Sequence, residues 1–178
     1  MREILADGLK LEPQTAAHAV QMFAVLSDPA IYDYENTPPP SREWLRARFC
    51  KLESRTSADG SEQWLNWVIR LPSSELAGYV QATIRSNGCA AIAYELSSAY
   101  WGRGIARRAV QAMITELGKQ YHVRTLTAVL KGENLRSLRL LERLGFSLAS
   151  LELHAKHKLE PGEILMQRKV REHESSAP

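Results

Sequence analysis

The stretch that decides the fold runs "YELSSAYWGRGIARRAVQAM", Tyr94 to Met113. It changes character midway. Up to Leu96 it continues the run "CAAIAYEL" (Cys89 to Leu96), which predicts a strand. From about Gly104 to Leu117 the residues Ile105, Ala109, Met113 (or Ala112) and Leu117 recur at helical spacing, and Gly118 offers a stop. A strand that enters a helix through glycines is a place for an anion. The first N–H groups of a helix have no partner within it, and the helix dipole adds about half a positive charge there. Gly102 and Gly104 let a phosphate approach the backbone, and Ala106 keeps the next position small. Arg107 and Arg108 stand where a cation costs roughly 0.3–1 kcal/mol, with Arg103 just ahead of them. A multiply negative ligand would turn that cost into attraction. The plain alternative for each arginine is a solvated side chain pointing away.

Other phosphate-binding patterns fit poorly. A dinucleotide fold wants its glycines after the first strand and an acid about 20 residues on, whereas this loop lies past mid-chain. The "GKQ" at Gly118 to Gln120 lacks the hydroxyl of a P-loop and comes at the wrong place.

Upstream, "GLKLEP" (Gly8 to Pro13) reads as a strand, and Thr15 caps a helix with Val20, Phe23 and Leu26 as its stripe. "SDPAIYDYENTPPPS" is an irregular connection broken by Pro38, Pro39 and Pro40. Ser41 caps a second helix, striped with Trp44, Leu45, Phe49 and Leu52. "WLNWVIRL" (Trp64 to Leu71) and "LAGYVQATI" (Leu76 to Ile84) form a hairpin. Trp64 and Trp67 point to opposite faces, one to the core. Downstream, "RTLTAVL" (Arg124 to Leu130) is a strand, and Asn134 caps a helix striped with Leu138, Leu141 and Leu144. "LGFSLASLELH" returns to strand, and "EILMQRKV" (Glu163 to Val170) is the last strand. The order predicts one α/β (α+β) domain over residues 1–170, with a single mixed, mostly antiparallel sheet and flanking helices. Residues 171–178, "REHESSAP", read as a flexible tail.

Bulk properties narrow the class. The chain has 178 residues, room for one domain with a proper core. A net charge of +3 makes no case for a nucleic-acid partner. No run approaches the ~20 apolar residues of a membrane span, and the N-terminus has no signal-peptide pattern. Cys50 and Cys89 make no paired motif, which fits a reducing cytoplasm. His154 and His157 do not form a metal pair, so no metal is expected.

The loop "YWGRGIARRAV" is similar to the acyl-CoA pyrophosphate loop of the GNAT superfamily of N-acetyltransferases. Together with "ENLRSLRLLERLGF", where Asn134, Ser137, Gly145 and Phe146 match, it resembles the RimJ/RimL-type branch, which includes ribosomal-protein N-terminal acetyltransferases. The opening "LKLEPQTAAHAVQMFAVLSDPAIYDY" and the central "WLNWVIRLPSSELAGYVQATI" extend the resemblance over about residues 8 to 170. It departs in two places. Trp101 stands where the loop pattern has Gln or Arg, and Ser137 where many members have Tyr.

The resemblance implies the GNAT fold and acetyl-CoA as acetyl donor. It implies a cofactor site made by Leu96, Ser97, Gly102, Arg103, Gly104, Ile105, Ala106, Arg107, Asn134 and Ser137. Ser137 would donate to the departing thiolate, and a backbone N–H near Leu96 would polarise the thioester carbonyl. The acceptor would be a primary amine, on a protein N-terminus or a small molecule such as a polyamine, amino acid or aminoglycoside. Its proton needs a base. Ala90 and Ala91 occupy positions that carry a base in part of the superfamily and cannot act. Glu95 is the candidate if its face is the acceptor side, and Glu35 is a second. Asp33 and Glu35 would suit a cationic amine. A catalytically silent acyl-CoA-binding module is the alternative from another class. Edge strands near the C-terminus would allow pairing of two copies as a homodimer.

Overall fold

The computed structural model describes residues 1–34, 36–85 and 87–170. Their frame is an eight-stranded sheet. Its strands are β1 (Ile4–Ala6), β2 (Leu9–Pro13), β3 (Glu62–Arg70), β4 (Leu76–Arg85), β5 (Cys89–Leu96), β6 (Thr125–Lys131), β7 (Ser147–Leu148) and β8 (Glu163–Lys169). The spatial order is β1-β2-β3-β4-β5-β6-β8-β7. Among the described strands every pairing is antiparallel except β5 with β6. That parallel step needs a crossover, which is α3 (Ile105–Tyr121).

The helices divide between the two faces. On one face α3 buries Ile105, Ala109, Met113 and Leu117, the stripe read from sequence, and adds Val110 and Ile114. They pack on Leu65, Trp67, Ile69, Val80 and Ile92, joined by Leu141 and Leu144 of the α4 (Leu135–Arg143) region. On the other face α1 (Ala19–Leu26) and α2 (Arg42–Leu52) enclose a smaller core of Ala19, Met22, Leu26, Leu45 and Phe49 over Val68 and Leu76. Glu116, buried within α3, is held by two bonds from Arg2 at 2.8 and 2.9 Å, which pins the N-terminus to the helix.

Several expectations need correction. The buried stripe of α1 is Ala19, Met22 and Leu26. Val20 is 63% exposed, because both registers satisfy helical spacing and packing chooses between them. Trp44 is also exposed, on the groove side of α2. Gly118 does not end α3. The helix runs on to Tyr121, and His122 closes it in the left-handed conformation. Gly118 answers a packing need instead, since a Cβ there would lie 3.0 Å from Val170 Cγ1. Of "LGFSLASLELH" only Ser147–Leu148 is strand. Ser150 then caps a short helix, α5 (Leu151–Ala155), by accepting from Leu153 N–H at 3.3 Å. Strand β1 was not predicted at all. The tail 171–178 and Glu35 lie outside the described residues.

Candidate active site

The site starts from a failure of pairing. Strands β5 and β6 are in register only at Cys89–Thr125, Ala90–Leu126 and Ala91–Thr127, and then diverge. Toward β4, Ser97 N–H donates to Ala77 O at 2.9 Å. In an antiparallel ladder such bonded pairs alternate. By that alternation the peptide groups of Ile92, Tyr94 and Leu96 point away from β4 and into the gap that β6 vacates. Gly78 sits opposite Leu96, where a Cβ would come 2.0 Å from Glu95 O, so only glycine allows this approach of β4 to the end of β5.

Two grooves open from the gap. One, of about 610 Å³, runs along Leu96, Tyr100, Trp101, Gly102 and Gly104, the first turn of α3, and α4. Gly102 and Gly104 have φ of +74° and +72°, the left-handed region that favours glycine. A Cβ at either would meet no heavy atom within 4 Å, so the space over the loop is open. The N–H groups of Ile105, Ala106 and Arg107 begin the helix and have no acceptor within it. Trp101 closes the loop by donating Nε1–H to Leu96 O at 2.9 Å. A loop of bare glycines, free helical N–H groups and open space fits a pyrophosphate.

The cations around this groove are only partly the expected ones. Arg107 lines it, whereas Arg103 lies over the Tyr100 ring at 5.8 Å and Arg108 donates to Asp7 O on the β1–β2 turn. Arg108 therefore points away from the loop and ties α3 to the sheet edge. In its place α4 presents Arg136, Arg139 and Arg143, spaced three and four apart along the wall. The Arg136 guanidinium lies 3.4 Å from the centre of the Trp101 ring. Ser97 also turns away. Its N–H is spent on Ala77, and its hydroxyl donates to Asp28 at 3.4 Å. Asp28 in turn accepts from Ser98 N–H at 2.7 Å, which anchors the connection between α1 and α2 beside the loop and holds its carboxyl below the usual range.

The second groove, of about 530 Å³, lies between the sheet, α2 and that connection. Ile31, Tyr34, Tyr94, Glu95, Asn134 and Ser137 line both grooves, so the two meet at the gap. There the Tyr94 hydroxyl is 2.7 Å from Ser137 Oγ. Burial pushes Tyr94 up to about 12, against a smaller opposite pull from Ser137. Asn134 caps α4, its Oδ1 accepting from Ser137 N–H at 3.1 Å, and so fixes the turn that carries the serine. Glu95 points to the α1–α2 side, where Asn36 Nδ2 donates to it at 3.4 Å. Burial first, and the Glu95 charge second, push the Tyr79 and Tyr32 hydroxyls upward, so neither can serve as a base. Asp33 lines neither groove. Among the described residues there is no cluster of metal ligands and no helix long and apolar enough to cross a membrane.

Tyr94 and the α4 arginines line the grooves and were missed in the sequence. The arginine spacing was visible. The approach of Tyr94 to Ser137 was not.

Residues 9–147 match the family model of the acetyltransferase (GNAT) domain. The chain is 24% identical over 153 residues to the uncharacterized N-acetyltransferase p20 of Bacillus licheniformis, covering 85% of each protein. Among solved structures it resembles RimL, the ribosomal L7/L12 α-N-protein acetyltransferase in complex with coenzyme A, with a TM-score of 0.78 at 18% identity over 98% of this chain and 99% of that one. It also resembles the ribosomal-protein-S5-alanine acetyltransferase of Vibrio fischeri (TM-score 0.75, 19% identity, 94% and 96% covered). A third is the spermidine N-acetyltransferase of Vibrio cholerae with CoA and spermine (TM-score 0.72, 17% identity, 91% and 95% covered). The chain belongs to the GNAT acetyltransferase family, as an acetyl-CoA-dependent acyltransferase.

Proposed function

We propose that this protein is an N-acetyltransferase that moves an acetyl group to a primary amine by direct attack, donor and acceptor being held together in the two grooves. The observation that carries this is the gap between β5 and β6, where both grooves meet. Acetyl-CoA supplies the activated acetyl thioester. The N–H groups opening α3, the Gly102–Gly104 loop and the arginines of α3 and α4 would hold its phosphates. The peptide N–H of Leu96, facing the gap, donates to the carbonyl oxygen as charge develops there. Glu95, on the acceptor side, takes the amine proton directly or through water. Ser137, backed by Tyr94, donates to the departing sulfur.

The test is calorimetric titration of acetyl-CoA into the wild type and Gly104→Glu. The new side chain enters open space but carries its charge to the phosphate cradle. Binding by the wild type and none by a folded variant is the expected result. Equal binding by both would overturn the assignment of the loop.

A further inference from the structure

The acceptor groove has two charged side chains among its described residues, Glu95 and Arg48. Arg48 projects from α2 with its guanidinium 5.6 Å from the centre of the Trp44 ring. It is in no ion pair with a described carboxylate, unlike Arg70, which Glu12 holds at 2.8 Å. Stacking on an indole orients a guanidinium and leaves its N–H edge available. Such a cation repels a polyamine and attracts an oxyanion.

A second observation points the same way. Gln14 lines this groove at 3% exposure, and its Nε2 has no hydrogen-bond partner. A buried amide donor without an acceptor is costly, and a ligand oxygen would relieve it. Tyr79, Glu95 and Arg48 all line this one groove.

We infer that the acceptor is a primary amine that also bears a carboxylate, the amine going to Glu95 and the carboxylate to Arg48 and the Gln14 side-chain amide. The inference rests on the transferase reading above and narrows the range of primary amines that the sequence left open. The carboxylate can come from a free amino acid or from an acidic residue at a peptide N-terminus.

The experiment uses matched acceptors with the full-length enzyme and acetyl-CoA, following thiol release. The pairs are alanine against alaninamide and Asp-Ala-Ala-amide against Asn-Ala-Ala-amide, with spermidine as the polycation. In at least one pair the carboxylate member should have a kcat/KM higher by about tenfold, the scale of one charge-assisted contact, and the pair that responds identifies the source. Arg48→Ala should erase that ratio through KM with kcat nearly unchanged, Arg48→Lys should restore part of it, and Arg48→Glu should favour spermidine. Calorimetric binding of the preferred acceptor to the enzyme–CoA complex should weaken in Arg48→Ala by the same factor. Arg48 is exposed, and acetyl-CoA binding reports that each variant is folded. Turnover that ignores the carboxylate, or a ratio untouched by Arg48→Ala, overturns the inference and leaves the transferase reading standing. Acetyl-CoA binding without turnover of any acceptor overturns both.

Discussion

Removing the Ser137 hydroxyl should slow acetyl transfer without weakening acetyl-CoA binding, and the structure sets the size of the effect. Tyr94, held up at about 12, lies 2.7 Å from Ser137. A thiol comparable to cysteine has a pKa of about 8.5. Full proton transfer from the tyrosine to the departing thiolate would therefore be uphill by about 5 kcal/mol. The pair can still donate a hydrogen bond, polarised through two hydroxyls, and a bond to a charged group is worth about 1.5–3 kcal/mol. Ser137→Ala should then lower kcat by roughly 10–150-fold. Tyr94→Phe leaves the serine in place and should cost only a few-fold, on the order of a neutral hydrogen bond. Because the two act as one relay, the double variant should be within about threefold of Ser137→Ala alone. The assay is thiol release at saturating acetyl-CoA and acceptor. A Ser137→Ala enzyme within twofold of wild type, or a double variant whose losses multiply, would refute the relay.

Two further outcomes follow from other parts of the molecule. Glu95→Gln should cost about 10²–10⁴-fold in kcat/KM near neutral pH, with recovery as pH rises past the pKa of the acceptor amine, about 8 for an α-amine; the same loss at every pH would remove Glu95 from the role of base. Glu12, largely buried at the end of β2 and bonded first by Arg70 and then by Lys10, is held down at about 2 from 4.5. Its folded-state pKa is depressed, so its stabilisation is complete above 4.5 and is lost as pH falls toward 2, because the unfolded chain takes up the proton first. That depression corresponds to about 3 kcal/mol. Urea titrations at pH 6 and pH 3 should show a loss that Glu12→Gln no longer shows, and an equal acid response in the variant would assign the loss elsewhere.

How much of this was legible in sequence depends on whether one element or several decide a residue's place. Strand β5 was read to its residue bounds, because turn residues precede it and the glycine loop follows it. The α3 stripe was read because one face of one helix carries it. The α4 arginines needed only the same periodicity applied to the opposite face of the Leu138, Leu141 and Leu144 stripe. The partnership of Tyr94 with Ser137 spans 43 positions and depends on where α4 settles over the gap. The gap itself has no composition of its own, since "CAAIAYEL" and "RTLTAVL" both read as ordinary strands. Gln14 and Arg48 meet in one groove only because the end of β2 and the middle of α2 pack on the same face.

The same geometry favours the proposed direct attack over a covalent acetyl-enzyme. A covalent route needs a nucleophile at the junction of the grooves and a base to activate it. Neither cysteine lines a groove. Cys50 is exposed on α2, and Cys89 begins β5 at the end where β6 is still paired with it. Ser137 is at the junction, but its nearest hydroxyl neighbour, Tyr94, keeps its own proton until about pH 12 and cannot take another. Glu95 projects to the opposite face of β5 from Tyr94, toward the acceptor. The proposed proton acceptor and the hydroxyl pair therefore project from opposite faces of β5. Direct transfer requires that arrangement, because the amine must lose a proton on one side while the sulfur gains a hydrogen bond on the other.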